Sequence, residues 1–489
     1  MKHKFLILTL LMIGLGFFNG YAQSCNCEEN FNWVKKTFEE NDAGFKYALS
    51  VKGKQAYEDH NKRILEKIKT AKTLNECAPI LYEWLEFFRS GHIAIRLTNQ
   101  NSNNNTNTTA VATSSANYDN WETLKVNLPE FEKYLANKKE QDLEGIWVTE
   151  PYKIGIKKVK NDYIGFIIES GADTWKKDQV KLKVTHKNNK LYSTFYMRDH
   201  SAVESDKVEP FGKNTLQLGN TALKRVYPKL EEDKDIKAYS RIIEARKPFM
   251  EKLDDKTVYI RIPSFNVSSK KDIDSVLNLH RATILKTENL ILDIRYGTGG
   301  SDSSFGEIIP FIYTNPIRTV GVEYYSTKLN NQRMLDFISK PEYGFDEDDK
   351  KWAKKAYDTL EKHLGTFMSL NKYPVSEEKL DTIHEYPKNV GIIINKNNGS
   401  TDEQFLLAAK QSKKVKLFGT TTHGVLDISN MYFVPSPCKE FELGYSLSRS
   451  KRIPDFPIDE IGIQPDFYID ESIPKYKWVE FVSGVLNNK

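Results

Sequence analysis

The segments 289–300, NLILDIRYGTGG, and 392–403, IIINKNNGSTDE, are the most informative parts of this chain. Each is a short apolar run of the kind that forms a buried strand, followed at once by glycine or small polar residues. A glycine-rich turn can offer backbone N–H groups to a developing negative charge, and a serine between a strand and a helix can present its hydroxyl. The two segments therefore predict a serine hydrolase site, with its oxyanion hole and nucleophile on neighbouring strands.

Composition limits the alternatives. The 489 residues are too many for one ordinary domain, and their 39% hydrophobic content is enough to form buried cores. The 71 basic and 66 acidic side chains nearly balance. Because no block of basic residues is present, we expect no nucleic-acid partner.

The first residues are typical of an export signal. Two lysines precede an apolar run from Phe5 to Phe18, and Gly20 and Ala22 follow. This pattern predicts a signal peptide over residues 1–22 and an exported protein, either periplasmic or secreted. The apolar run is short for a membrane span, so we expect no stable span after signal cleavage; an uncleaved anchor is the alternative.

Export would permit disulfides. The four cysteines, Cys25, Cys27, Cys77 and Cys438, allow three pairings, and the sequence does not select one. A bridge from Cys25 or Cys27 to Cys77 would tie the mature N-terminus to the first helical segment.

Four regions follow the signal peptide. Residues 23–98 have apolar positions at helical spacing and predict an N-terminal helical domain. Residues 99–118, rich in Asn, Thr and Ser, predict a disordered linker. Short alternating strands over 119–228 predict a small antiparallel β domain. Residues 229–489 alternate strand and helix, which predicts an α/β core with a mixed sheet covered by helices.

Ser400 has two interpretations. Ser-Thr-Asp-Glu is a capping box, in which Ser400 caps the next helix and Glu403 binds back. A strand directly before a serine and a helix directly after it are also the setting of an exposed nucleophile, and the helix N-terminus supplies N–H groups to an oxyanion. Both roles are compatible at one junction.

Five motifs in register carry a resemblance to a known family. They are 257–265 TVYIRIPSF, 293–300 DIRYGTGG, 399–403 GSTDE, 419–424 GTTTHG and 462–466 GIQPD. The series resembles the tail-specific (C-terminal-processing) serine peptidase family. The resemblance implies a ClpP/crotonase-like sandwich core that cuts a peptide or protein substrate without a metal or an organic cofactor.

The resemblance also separates two catalytic branches. In the Ser–Lys branch a lysine acts as base at the position of Val425, whose side chain cannot take a proton. The tricorn-like branch uses serine, histidine and an acid, and its histidine segment is similar to 85–93, LEFFRSGHI. This branch implies His92 as the base of Ser400 and Asp459 as the orienting acid.

The resemblance implies further roles around these three side chains. Glu460, next to Asp459, is the alternative acid. Backbone N–H groups of Gly299 or Gly300, together with that of Thr401, would form the oxyanion hole. The two glycines could equally form only a tight turn. His92 could be a core or capping histidine, with His423 as a rival base.

Departures from the family pattern leave a second hypothesis open. Gly297 stands where Asn is common, Ser90 where an acid is common, and Ile93 where Thr is common. No PDZ module is visible, and the β domain takes its place in sequence order. The alternative is a non-catalytic module on the same fold that binds an apolar ligand or a protein. Hydrogen-bond contact between Ser400 and His92 would favour the enzyme, and an apolar cavity there would favour the binder.

Overall fold

The computed structural model describes residues 25–98, 121–187, 190–198, 200, 202–206, 208–219 and 221–488. The signal peptide expected over 1–22 and the linker expected over 99–118 lie outside the described residues. The described chain divides into two units. One combines residues 25–98 with Lys247–Tyr468, and the other combines the described part of Thr106–Arg246 with Ile469–Asn488.

The N-terminal part of the first unit is helical, as its apolar spacing predicts. It contains α1 (Cys27–Asn41), α2 (Phe45–Lys52), α3 (Lys54–Ile68), α4 (Leu74–Glu86) and the strand β1 (Ala94–Leu97). Asn26 and Glu29 form a capping box that begins α1. Phe38 and Trp84 belong to a buried cluster that Tyr445 completes from the far end of the chain, so the helices share their core with the rest of this unit.

Two disulfides fix the same part of the molecule. Cys27 is bonded to Cys77, which is one of the bridges expected from the sequence. Cys25 is bonded to Cys438, so the described start of the chain is linked to a residue 413 positions away. All four cysteines are among the described residues, and these bridges pair them all.

The second unit contains the antiparallel sheet that the alternating strands predict. Its elements are α5 (Leu128–Asn137), β2 (Gly145–Thr149), β3 (Tyr152–Val159), β4 (Asp162–Ser170), β5 (Val180–Lys187), β6 (Lys190–Tyr196), β7 (Ala202–Ser205), β8 (Val208–Phe211), β9 (Thr215–Leu218), β10 (Thr221–Tyr227) and α6 (Lys234–Glu244). The strand order is β7-β6-β5-β4-β3-β2-β10-β9-β8, with antiparallel pairing throughout.

Later elements complete both units. They are β11 (Phe249–Lys252), β12 (Thr257–Arg261), α7 (Lys270–Ile284), β13 (Asn289–Asp293), α8 (Ile309–Ile312), β14 (Ile317–Val320), β15 (Val322–Tyr325), α9 (Lys328–Ser339), α10 (Glu347–Leu360), β16 (Phe367–Met368), β17 (Val375–Glu378), β18 (Asn389–Ile394), α11 (Thr401–Ala409), β19 (Val415–Gly419), β20 (Ile428–Pro435), β21 (Phe441–Ser450), β22 (Phe467–Tyr468) and α12 (Trp478–Asn487). The sequence predicted one core over residues 229–489, which includes α6 and α12. The structure instead places both helices in the second unit, with the antiparallel sheet. In that unit Lys477, just before α12, forms an ion pair with Asp235 of α6 at 2.5 Å. None of the described helices has the length and apolar character needed to cross a membrane.

A mixed sheet in the order β11-β12-β13-β18-β19-β22 forms the centre of the first unit. All neighbours after β12 are parallel, and β11 is antiparallel to β12. The strands β12 and β13 are buried along their full length, which explains their apolar sequences. Asp293 on β13 pairs with Ile393 on β18, so the loops after these two strands meet at one edge of the sheet.

A second sheet brings the N-terminal segment to that edge. Its order is β1-β21-β15-β16, and β20 also pairs with β21. Ala94 on β1 lies opposite Gly444 on β21. Because His92 comes two residues before β1, this pairing carries it to the region where Ser400 follows β18.

Candidate active site

Ser400 lies at the junction between β18 and α11. Its backbone has φ 57° and ψ −120°, a conformation that non-glycine residues rarely adopt and that is concentrated at functional sites. Its N–H donates to the Glu403 carboxylate at 3.2 Å, as one half of a capping box requires. The Ser400 Oγ lies 3.1 Å from the His92 Nε2. This distance favours the enzyme over the binding hypothesis.

Glu403 also fixes the loop that follows β19. The buried Glu403 carboxylate accepts hydrogen bonds from the Thr422 hydroxyl at 2.6 Å and from the N–H groups of Gly424 at 2.7 Å and Val425 at 2.9 Å. Burial raises the pKa of Glu403, and these hydrogen bonds oppose the rise. One carboxylate thus holds the serine backbone and the neighbouring loop together.

His92 is positioned by a buried ion pair. The Arg89 guanidinium donates to the Asp42 carboxylate through its two terminal nitrogens, Nη1 at 2.8 Å and Nη2 at 2.6 Å. The same guanidinium donates to the carbonyls of Gly91 and His92, each at 3.0 Å. Arg89 and Asp42 are buried, so this pair is well shielded from water and holds the turn in which His92 has φ 52°.

The tautomer of His92 follows from its second nitrogen. Nδ1 lies 2.7 Å from the Ile428 carbonyl oxygen. A carbonyl can only accept, so Nδ1 carries the hydrogen and Nε2 is the acceptor for the Ser400 hydroxyl. Burial lowers the pKa of His92 to about 4, the Ile428 carbonyl opposes this, and the charges of Arg89 and His423 lower it further. The imidazole is therefore neutral at pH 7 and able to take a proton.

Asp459 binds the backbone that carries this carbonyl. Its Oδ1 accepts the N–H groups of Leu426 and Asp427, both at 2.6 Å, and its Oδ2 accepts that of Ile428 at 3.2 Å. Among the described hydrogen bonds, Asp459 reaches His92 only through the backbone of Ile428, since Asp459 accepts the N–H of that residue and His92 contacts its carbonyl. Burial raises the pKa of Asp459 to about 6, and the charge of Asp427 adds to the rise.

A reciprocal contact completes this network. The Asp427 carboxylate accepts the N–H of Asp459 at 2.8 Å and pairs with the Arg452 guanidinium at 3.0 Å. The neighbouring Glu460 has a different partner, since its Oε1 accepts the Ser90 N–H at 2.8 Å. The two candidate acids therefore support different parts of the His92 environment: Asp459 its Nδ1 acceptor, and Glu460 the turn before it.

The predicted oxyanion loop lies directly against Ser400. Gly299 has φ 84° and Gly300 has φ 149°, both in the region that favours glycine. A Cβ on Gly299 would lie 2.8 Å from the Ser400 Cβ and 3.1 Å from the Thr401 nitrogen. There is no room for a side chain here, and the backbone of Gly299 and Thr401 lies beside Ser400, whereas Gly300 lies against the backbone of Phe265.

Asp402 explains a departure from the family pattern. A Cβ on Gly297 would lie 2.5 Å from the Asp402 Oδ2, so Asp402 fills the space of a larger residue at position 297. The Asn398 amide donates to this carboxylate at 2.9 Å. Burial raises the pKa of Asp402 to about 7, and the hydrogen bond from Asn398 opposes the rise.

The other histidine has a different environment. The His423 side chain is exposed, and its backbone N–H donates to the Asn398 carbonyl at 2.8 Å. The neighbouring Val425 packs closely against Gly91, on which a Cβ would lie 2.4 Å from the Val425 Cγ1. An aliphatic side chain therefore lies beside the histidine turn, where the Ser–Lys branch has its base.

Sequence reasoning did not identify several of these groups. The acceptor for the His92 Nδ1 hydrogen is the main-chain carbonyl of Ile428. Every residue has such a carbonyl, so the residue type at position 428 does not predict this contact. Arg89 and Asp42 are 47 positions apart, and nothing local indicates that they pair. The small residue at Gly297 was the available signal for Asp402, because it implied that another side chain fills that space.

Comparison with known proteins agrees with the fold. Residues 256–469 match the sequence model of Peptidase family S41. This part of the chain is that of a serine peptidase. No curated protein matches the chain.

Solved structures resemble this chain at low sequence identity, and the first of them reaches a TM-score of 0.50. Mature CPAF complexed with lactacystin is 11% identical, with a TM-score of 0.50, and the match covers 95% of this chain and 99% of that one. The photosystem II D1 C-terminal processing protease is 11% identical, with a TM-score of 0.38 and coverage of 92% and 95%. The tricorn protease is 12% identical, with a TM-score of 0.39 and coverage of 94% and 36%.

Proposed function

We propose that this peptidase belongs to the tricorn-like branch, with Ser400 as nucleophile and His92 as general base. The observation that carries the proposal is the 3.1 Å contact between the Ser400 Oγ and the His92 Nε2. Proton transfer requires hydrogen-bond distance, and these residues are 308 positions apart, so only the tertiary fold brings them together.

The proposed reaction follows the acyl-enzyme route. The Ser400 Oγ forms a bond to the substrate carbonyl carbon as its proton passes to His92 Nε2. Backbone N–H groups of Gly299 or Gly300, with that of Thr401, stabilise the oxyanion. The C–N bond then breaks, and His92 returns the proton to the leaving amine. Water attacks the acyl-enzyme in the same way, losing a proton to His92 and releasing Ser400.

We assign the orienting role to a carbonyl held by a carboxylate. The Ile428 carbonyl accepts the Nδ1 hydrogen of His92 and favours the imidazolium during reaction. Asp459 acts as a positioning residue, because its carboxylate accepts three successive N–H groups around that carbonyl. Glu460 is the alternative acid, through its hydrogen bond to the Ser90 N–H.

The proposal includes export to the periplasm or the cell exterior. It rests on the signal pattern of residues 1–22 and is supported by the two disulfides, which persist in oxidising compartments. N-terminal sequencing of the protein recovered from the periplasm or medium would test it, with residue 23 expected at the mature start.

A serine-directed fluorophosphonate tests the catalytic assignment. We expect the reagent to modify Ser400, as mapped by mass spectrometry of the labelled peptide. Ser400→Ala and His92→Ala should each lower peptide hydrolysis by about 10⁴-fold or more. His423→Ala is the matched control and should remain active. Label on another serine, or activity that depends on His423 and not on His92, would refute the assignment.

A further inference from the structure

We propose that the Asp402 side chain is a positioning residue, which holds the oxyanion loop after β13 in the conformation that catalysis requires. The inference rests on the proposed role of Ser400 and goes beyond it, because it concerns a group outside the Ser400–His92 pair. Asp402 lies in the first turn of α11, two residues after Ser400. It is 1% exposed, so its carboxylate acts on its protein neighbours and not on solvent.

The Asp402 carboxylate occupies the space that a side chain at position 297 would need. A Cβ added to Gly297 would lie 2.5 Å from the Asp402 Oδ2 and 3.1 Å from its Oδ1. The Gly297 backbone lies outside the left-handed region that favours glycine, so its conformation does not demand one. The carboxylate therefore packs directly against the main chain of the oxyanion loop, and it explains why this position has no side chain.

Asn398 connects the same carboxylate to the start of the loop. Its Nδ2 donates to the Asp402 Oδ2 at 2.9 Å and to the Ile294 carbonyl at 2.7 Å. Its Oδ1 accepts the N–H of Asn395 at 2.8 Å, which fixes the orientation of the amide. The Asn398 side chain is fully buried, so water does not compete for these hydrogen bonds. One amide group thus joins the loop to the carboxylate.

The end of the loop that faces Ser400 lies close to Asp402 as well. A Cβ on Gly299 would lie 3.1 Å from the nitrogen of Thr401, the residue before Asp402. Burial raises the pKa of Asp402 to about 7, and the Asn398 amide and the Gly299 N–H oppose the rise. Without the carboxylate, a void would border this glycine-rich backbone. A donor displaced by about 1 Å can lower the rate a hundredfold.

Truncation of Asp402 tests the positioning role. We expect Asp402→Ala to lower kcat about 10- to 100-fold with little change in KM, since the loop acts mainly on the oxyanion. The inhibition constant of a peptide aldehyde, whose adduct with Ser400 uses the oxyanion hole, should rise in step with the loss of kcat. Asp402→Asn keeps the volume and an oxygen acceptor for Asn398, so it should retain most of the wild-type kcat.

An exchange of side chains separates positioning from simple loss of stability. Gly297→Asn alone should lower kcat, because its Cβ meets the Asp402 carboxylate. In Gly297→Asn/Asp402→Ala the new amide enters the vacated space, where its oxygen can accept the Asn398 hydrogen. We expect kcat of the double variant to exceed that of either single variant by about tenfold, as coupled neighbours allow. Thermal unfolding is measured for all three.

The control and the contrary outcomes are distinct. Gln404→Ala shortens a partly exposed side chain on the same helix and should leave kcat and the aldehyde inhibition constant unchanged. Wild-type kcat in Asp402→Ala or in Gly297→Asn, or a double variant no better than the worse single one, overturns the role of Asp402. If Asp402→Ala does not fold, Asp402→Asn and Gly297→Asn still decide, and a kcat that falls as far in Asp402→Asn as in Gly297→Asn is also contrary. Fluorophosphonate labelling of Ser400 in the wild-type protein is independent of these results, so its failure would instead remove the proposed function.

Discussion

Among single residues, the environment of His92 sets the pH range in which this proposed base is neutral. The Ile428 carbonyl fixes the tautomer that leaves Nε2 free to accept a proton. Burial lowers the pKa of the imidazole to about 4, so the neutral base is already the dominant form well below neutral pH.

The pH dependence of kcat/KM should reveal this pKa. The imidazolium cannot accept a proton, so activity is lost as the pH falls through the folded pKa, and we expect the acidic limb near pH 4. The unfolded chain binds a proton to this histidine already near pH 6.5, so the same group lowers the free energy of unfolding as the pH falls from there to about 4. Brief exposure to each pH followed by assay at pH 7 controls for denaturation. An acidic limb near pH 6.5 would contradict the lowered pKa that follows from the burial of His92.

The two neighbouring acids should differ in effect. Asp459→Asn keeps an oxygen acceptor but turns an N–H₂ group toward backbone N–H donors, so we expect kcat to fall about ten- to a hundredfold, as for other indirect partners. Glu460→Gln keeps an acceptor for the Ser90 N–H and should stay close to wild type. Both are assayed on one peptide, with thermal unfolding as the structural control. A severe loss confined to Glu460→Gln would transfer the role to Glu460, and full activity in both would leave the carbonyl as the sole orienting group.

At the scale of elements, the loops after β13 and β18 create the site because parallel strands end at the same edge of the sheet. The oxyanion loop fits there only because its backbone comes within contact distance of Ser400. This close fit makes the loop sensitive to a single methyl group. Gly306, in the 3₁₀ helix Asp302–Ile308 that follows the loop, does not share the constraint.

Gly299→Ala should therefore lower activity far more than stability. Its Cβ would lie 2.8 Å from the Gly399 carbonyl oxygen and from the Ser400 Cβ, and the residue would have to keep φ 84°. Displacing an oxyanion donor costs about 10²- to 10³-fold in kcat. Gly306→Ala is the matched control, since nothing lies within 4 Å of its added Cβ. Steady-state kinetics and thermal melting of both variants decide the point, and wild-type kcat in Gly299→Ala would remove this loop from the oxyanion hole.

At the scale of the whole molecule, two disulfides stabilise the unit that contains the proposed base and nucleophile. Cys27 and Cys77, which are 50 positions apart, close a loop within the helical segment. Cys25 and Cys438 close a much longer loop across the chain, 413 positions apart. Because the helical segment carries His92 and the remainder of this unit carries Ser400, the second bridge joins the two halves of the proposed site.

Loss of the long bridge should destabilise the protein. We expect the double variant Cys25→Ser/Cys438→Ser to lose about 2–5 kcal/mol of unfolding free energy, because its unfolded chain gains conformational entropy. Urea unfolding of the oxidised proteins measures this, and Cys27→Ser/Cys77→Ser is the comparison with the shorter loop. A loss that is absent in the first variant but present in the second would show that the long bridge does not contribute to stability.

The local elements of this protein could be predicted from its sequence. The apolar runs at 289–293 and 392–394 become buried strands because continuous apolar residues suit a parallel sheet covered on both faces. The helical spacing of the N-terminal segment and the alternation of the β unit appear as expected, since both depend on which face of one element is buried. The residues of the proposed site were predicted from the motifs that resemble the family.

How these elements act together depends on the tertiary structure. It places the His92 Nε2 3.1 Å from the Ser400 Oγ, gives the His92 Nδ1 a main-chain acceptor, and links Asp459 to the imidazole through the backbone of Ile428. It also chose Cys438 as the partner of Cys25 and grouped α12 with the β unit. These outcomes depend on contacts between segments that are distant in the sequence. The periodicity of apolar side chains shows which face of an element is buried, but it does not show which other element covers that face.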